Sequence, residues 1–134
     1  MEINKNCHAY HLAFRVPDGE SSRLDEFFEA HEKFMRETHF VDGDDEPRVL
    51  VYTITKCPEL KNPLNPDEGT TGHTLFGLHE VYRGPEGCAA HMAAGQAREA
   101  LFAEFVDIVQ TYMVSGLLAC LLYTSPSPRD QRGS

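Results

Sequence analysis

The sequence of 134 residues has no long apolar run and no closely spaced cysteine pair. No stretch approaches the roughly 20 apolar residues that a membrane-spanning helix needs, so we expect no membrane partner. Residues 1–6 are polar and lack the apolar core of a signal peptide. The four cysteines are scattered, with no CxxC pair, which favours a reduced chain over a disulfide framework. Together these absences predict a cytoplasmic protein.

Basic residues are also scarce, and so are the common catalytic motifs. Twelve Lys and Arg stand against 21 Asp and Glu, giving a net charge of −9. Nucleic acid would need a basic face, so we expect no such partner. GxSxG, P-loop, Rossmann glycine and HExxH patterns are all missing. Hydrolase, nucleotide-binding and zinc-protease functions therefore have no motif behind them.

The length and the apolar fraction set the scale of the fold. A chain of this length allows one domain with a single two-layer core. The apolar fraction of 41% is ordinary for a globular protein. No room remains for a separate cofactor domain.

Residues 74–92 are the most informative stretch. Residues 74–82 alternate, with Phe76, Glu80 and Tyr82 on one face and Gly77 and His79 on the other, which predicts a strand. Residues 84–86, Gly-Pro-Glu, are typical of a helix start, because proline fits the first helical position. The helix that follows is rich in small residues and carries His91 at its middle.

The remaining elements follow from periodicity. Residues 8–16 and 48–56 alternate as strands, and residues 23–38 and 96–115 carry apolar stripes at helical spacing. Residues 41–47 form an acidic turn without the ligand spacing of a calcium loop. Residues 57–73 are rich in proline and glycine and predict a long loop, either a surface insertion or a binding lid. The predicted fold class is α+β, with the order βαββαα.

The strand-to-helix stretch resembles a known family. Glu80 and Tyr82 at the strand end, followed by Pro85, Glu86 and His91 on the helix, resemble the antibiotic-biosynthesis-monooxygenase (ABM) type of dimeric α+β barrel. The resemblance covers about residues 8–115 in element order. It implies a ferredoxin-like half-barrel that forms a homodimer. It also implies a monooxygenase that oxidises a small quinol-like or polycyclic aromatic with O2 and without a cofactor.

The C-terminal segment resembles the translation of a DNA sequence that does not come from a natural gene. Residues 120–130, CLLYTSPSPRD, resemble a translated sequencing-library adapter, which implies a fragment from bulk metagenomic sequencing. We therefore place the domain at residues 1–119 and a non-native tail at 120–134. The family's fourth strand should follow the last helix, and we expect it to be truncated. A natural Ser/Pro-rich disordered tail is the alternative.

Seven residues are candidates for the site. His31 sits on an apolar helix face where leucine is expected, and an imidazole can take a phenolic proton near neutral pH. His79 shares its strand face with Gly77, whose missing side chain leaves room for a ligand. We predict these two as catalytic, with an ordinary core histidine and an interface histidine as their respective alternatives. The predicted substrate-binding residues are His11, Tyr52, Glu80, Tyr82 and His91. The alternative for His91 is a structural role between helix and sheet, and the alternative for Glu80 and Tyr82 is a capping or ion-pair role.

We predict no metal, because the adjacent pairs His31–Glu32 and His79–Glu80 diverge on a helix and a strand. Two other functions remain open. One is a non-catalytic stress-response-type A/B barrel that binds a small apolar ligand. The other is a haem-binding or haem-degrading barrel with one axial histidine.

Overall fold

The computed structural model describes residues 3–122. Its elements follow in the order βαββααβ. Two 3-10 turns, Asp18–Glu20 and Pro66–Glu68, lie between the longer elements. The strands are β1 (His8–Pro17), β2 (Val49–Leu60), β3 (Thr70–Tyr82) and β4 (Met113–Leu121), and the helices are α1 (Ser21–Thr38), α2 (Pro85–Gln96) and α3 (Glu99–Tyr112).

The strands form one four-stranded antiparallel sheet. Its order is β2-β3-β1-β4, so β1 and β3 are central. This arrangement is compatible with a ferredoxin-like fold and confirms the predicted α+β class. Alternate residues of the central strands pack against α1 and α3 as one hydrophobic core. The buried members from β1 and β3 are Tyr10, Leu12, Phe14, Val16, Phe76, Leu78 and Tyr82.

The hairpin of β2 and β3 is longer than the sequence predicts. The predicted loop at residues 57–73 shrinks to residues 61–69, because Cys57 pairs with Leu75 and Leu60 with Thr70. Pro58 is tolerated because β2 is an edge strand, where a missing N–H costs no ladder bond. Gly72 has a φ of +90° inside β3, which allows the strand to continue through a conformation that other residues avoid.

The described chain contains a fourth strand, and its last two residues belong to the adapter-like segment, so truncation of the native strand stays a prediction. Helix α3 ends at Tyr112, three residues earlier than predicted, and Met113–Leu121 pairs with β1. Pairing with β4 gives hydrogen-bond partners to the backbone N–H and C=O groups at the β1 edge of the sheet, which a longer helix α3 would leave without partners. Strand pairing therefore overrides the helical periodicity at the end of the predicted helix. Strand β4 crosses the predicted domain boundary at 119/120, which stays a prediction. Residues 123–134, with most of the adapter-like segment, lie outside the described residues.

Within residues 3–122, no helix covers the other face of the sheet. His11, Arg15, Thr53 and Thr55 are exposed there. Across residues 3–122, the helices are all too short or too polar to cross a lipid bilayer.

Candidate functional site

A cavity of about 310 Å³ lies between the sheet and the helices. This volume is at the lower end of the range for small-molecule sites. Its walls are mainly apolar and come from β1, β3, β4 and all three helices. Among the apolar lining residues are Leu12, Phe27, Phe34, Leu78, Met92, Phe102 and Phe105.

One wall of the cavity is polar. It contains His31 from the middle of α1, Glu80 from β3 and His91 from the middle of α2. The Glu80 carboxylate is 1% exposed, and its oxygens lie 3.9 Å from His31 Nε2 and 3.6 Å from His91 Nε2. These separations exceed hydrogen-bond length, so the three groups face one another without bonding directly.

A hydrogen-bonded chain fixes the orientation of His91. Thr38 Oγ1 donates to the Phe34 carbonyl at 2.7 Å, so it accepts from His39 Nδ1 at 2.8 Å. A neutral His39 then has an acceptor at Nε2, which lies 2.9 Å from His91 Nδ1 and 3.1 Å from Tyr82 Oη. Because the Tyr82 hydroxyl donates its proton to Glu80, His91 Nδ1 is the donor to His39. This assignment from the network leaves a lone pair on His91 Nε2, aimed at the cluster.

Two tyrosines hold the other members of the cluster. Tyr82 Oη donates to Glu80 Oε1 at 2.5 Å, and Tyr52 Oη lies 2.8 Å from His31 Nδ1. Both tyrosines stand behind the cluster and are not among the residues lining the cavity. Each ionisable member therefore has one atom bonded to a neighbour and another free to face the cavity.

Burial sets the protonation states of the cluster. It lowers the pKa of His31 to about 4 and that of His91 to about 3, and neighbouring histidines add to both shifts. Burial likewise raises the pKa of Glu80 to about 7, against the hydrogen bond from Tyr82. At neutral pH both imidazoles are thus uncharged acceptors, and the carboxyl group is near its midpoint.

The same three side chains can hold a metal ion. One ligand atom from each of His31, Glu80 and His91 lies within 4.8 Å of the others. The prediction of no metal considered adjacent pairs, the HExxH motif and a His11–His79 pair across strands, whereas this set comes from three separate elements. Sequence periodicity assigns each residue to one face of its own helix or strand, but it does not show which faces of different elements pack together.

The predicted site residues divide into two groups. His31, Glu80 and His91 meet at the cavity, with Tyr52 and Tyr82 directly behind them. His11 and His79 pair with each other across β1 and β3, with ring centroids 5.4 Å apart, on the uncovered face of the sheet. A role for these two histidines at that face stays a prediction.

Sequence reasoning missed His39 and Tyr10. His39 follows the end of α1, where no periodic pattern identifies a partner, and its contacts with His91 and Tyr82 depend on tertiary packing. Tyr10 alternates as a core residue of β1 and also lines the cavity, where its hydroxyl donates to the Cys88 carbonyl at 3.4 Å. Their only sequence signal is a polar atom on an otherwise apolar pattern.

Comparison with known proteins gave no match to a family model, to a curated protein or to a solved structure. The geometry of the cavity and the resemblance of residues 74–92 therefore carry the functional argument.

Proposed function

We propose that this chain is a cofactor-independent monooxygenase of the ABM type, acting on a small quinol-like or polycyclic aromatic. The observation that supports it is the apolar cavity of about 310 Å³ with His31, Glu80 and His91 as its polar wall. Apolar walls favour a flat, poorly hydrated ligand, and the polar wall offers proton acceptors where its hydroxyl group would lie. The volume favours a ligand of a few fused rings over haem.

The reaction requires few catalytic groups from the protein. A quinol and O2 give a hydroxyquinone and water: one oxygen atom enters the ring, and the other leaves as water. The substrate supplies all four electrons that reduce O2. The protein needs to take the phenolic proton, stabilise the anion and exclude water.

His91 Nε2 and His31 Nε2 present lone pairs to the cavity as weak bases, because burial lowers their pKa values to about 3 and about 4. An imidazolium formed at either position lies within 4 Å of the Glu80 carboxylate, which stabilises the charge. His39 and Tyr52 keep the two rings in place through their Nδ1 atoms. The site thus combines bases with a buried carboxylate, as catalytic His–carboxylate pairs do.

The test is oxygen uptake by the purified protein with a panel of quinols and anthrones. We expect uptake with at least one substrate, and a loss of about 10²–10⁴-fold in His31→Ala and in His91→Gln. Glu29→Gln, on the exposed surface of α1, serves as the control and retains activity.

Binding of an aromatic without oxygen uptake would contradict the monooxygenase and support the alternative, a ligand-binding A/B barrel. The apolar lining of the cavity favours that alternative equally, since it needs no proton acceptor. A Soret band on adding haemin would support the haem alternative.

The resemblance also implies a homodimer, which we propose forms through the uncovered face of the sheet. His11 and His79 lie at the centre of this face, and Leu117 of β4, 54% exposed, lies opposite His11. Pairing of two such faces would bury them and close a barrel.

A further inference from the structure

We propose that His31, Glu80 and His91 form a binding site for a divalent transition-metal ion, such as Zn²⁺ or Fe²⁺, at the polar wall of the cavity. This inference stands on the geometry of the three side chains and does not depend on the proposed function. A bound ion would use the same lone pairs as the proton transfer, so the two exclude each other at any one moment.

The donor set selects the class of metal. Two imidazole nitrogens and one carboxylate suit zinc and ferrous iron, in sites that leave further positions open. Calcium and magnesium prefer oxygen ligands, so two of the three donors disfavour them. The three donors face the cavity, so the remaining positions would point to where a ligand or water enters.

The spacing of the donors is close to what an ion requires. Three atoms each about 2.1 Å from one ion are at most about 4.2 Å apart. Glu80 Oε2 lies 3.9 Å from His31 Nε2, Glu80 Oε1 lies 3.6 Å from His91 Nε2, and one ligand atom from each of the three residues lies within 4.8 Å of the others. The three donors would therefore have to approach one another slightly to bind an ion.

The donors also lack competing partners. Across residues 3–122, neither His31 Nε2 nor His91 Nε2 nor Glu80 Oε2 has a hydrogen bond. The carboxylate and the two imidazole lone pairs form an electron-rich group at the cavity wall. A cation placed between them satisfies all three atoms at once.

The surrounding residues orient the donors as in protein metal sites. Ligating histidines usually bond their other ring nitrogen to a neighbour, which fixes the ring and the tautomer. Here His39 Nε2 holds His91 Nδ1 at 2.9 Å, and Tyr52 Oη holds His31 Nδ1 at 2.8 Å. Tyr82 fixes the remaining oxygen of Glu80 at 2.5 Å.

The first experiment is direct binding to the full chain. Cys57 and Cys120 are exposed thiols that would also bind these metals, so the background carries Cys57→Ser and Cys120→Ser. After treatment with a chelator, the protein is titrated with Zn²⁺ by calorimetry and with Co²⁺ by visible absorption. We expect one ion per chain, with at least about a tenfold loss of affinity in Glu80→Gln and in His91→Gln.

Two matched substitutions separate the metal site from general stability. Tyr52→Phe removes the hydroxyl behind His31, and we expect about 10–100-fold weaker binding. Tyr112→Phe removes a hydroxyl that bonds Glu20 at 2.7 Å, and we expect unchanged binding. His11→Ala with His79→Ala removes the other histidine pair and also leaves binding unchanged.

A second measurement needs no variant. Long-range ¹H–¹⁵N spectra of the imidazole rings report which nitrogen binds Zn²⁺. We expect shifts at Nε2 of His31 and His91 and none at His11 or His79. Absence of binding in a folded protein, or shifts confined to His11 and His79, would overturn the proposal.

Discussion

His39 shows how a residue outside the cavity can control what happens inside it. It bonds Thr38 on one side and His91 on the other, so its tautomer decides whether His91 presents a lone pair or a proton. It adds a half-buried third imidazole, which contacts His91 and Tyr82, to His31 and His91. The protonation state of His91 therefore depends on its neighbour His39.

These imidazoles predict a chain that is sensitive to acid. Burial lowers the pKa of His39 and His31 to about 4 and of His91 to about 3, from 6.5 when unfolded. Below pH 6.5 the unfolded chain therefore binds more protons, and the folded state loses stability as the pH falls. The pKa of Glu80, raised to about 7 from 4.5, opposes this trend with one group against three.

Urea unfolding of chelator-treated protein between pH 6.5 and 5 measures the effect. We expect the free energy of unfolding to fall as the pH is lowered. In His39→Gln the slope of this free energy against pH should be smaller, by an amount that corresponds to less than one bound proton. His8→Gln, at an exposed position bonded to the Asn6 carbonyl, is the control. A free energy that stays level or rises toward pH 5 would show that the histidines are not held neutral.

At the scale of the elements, Gly87 allows α2 to pack closely against the end of β3, because glycine has no side chain. A Cβ on Gly87 would lie 2.9 Å from Tyr82 Cβ and 3.1 Å from Glu46 Oε1, both too close. The close approach brings His91, one turn further along α2, to Glu80. The small residues of this helix, recognised in the sequence, are thus what allows the polar wall to assemble.

Gly87→Ala tests this packing. Overpacking costs about 1–3 kcal/mol, and the gain in helix propensity offsets up to about 1 kcal/mol. We expect net destabilisation and a weaker Zn²⁺ site. At Gly95 the added Cβ would lie 3.9 Å from Phe34, an ordinary contact, so Gly95→Ala is expected to stabilise the protein by up to about 1 kcal/mol.

Urea unfolding of both variants provides the comparison. Equal effects of the two substitutions would mean that α2 moves freely over the sheet, and that the position of His91 does not depend on Gly87.

The elements also show what sequence could predict. Strand β1 and helix α1 begin or end within two residues of the prediction, because their apolar periodicity is strong. The alternation of β3 correctly separated Glu80 from His79. The meeting of His31 with Glu80 could not be predicted, since it depends on how α1 crosses the sheet. The hairpin is longer than predicted because the prolines and glycines of residues 57–73 favoured a loop, and strand pairing outweighed them.

At the scale of the whole molecule, the uncovered face of the sheet predicts association. Ala13 lies near its centre, between Gly77 of β3 and Ser115 of β4. If two sheets meet there, Ala13→Arg introduces bulk and like charges at the interface and gives a monomer. Glu29→Arg, on the exposed surface of α1, is the matched control.

Light scattering coupled to size exclusion measures the mass of each protein. We expect a dimer for the parent chain and for Glu29→Arg, and a monomer for Ala13→Arg with an unchanged circular dichroism spectrum. A monomeric parent chain would contradict the barrel.

Strand β4 contributes to the cavity in a different way from the other strands. Leu118 and Ala119 line it, yet β4 carries none of the three polar donors. The three polar donors thus lie in the first three quarters of the described chain, while part of the shape of the cavity is encoded near its end. Variation in the last strand can alter which molecules fit while leaving the reactive groups intact, so selectivity and chemistry can diverge independently.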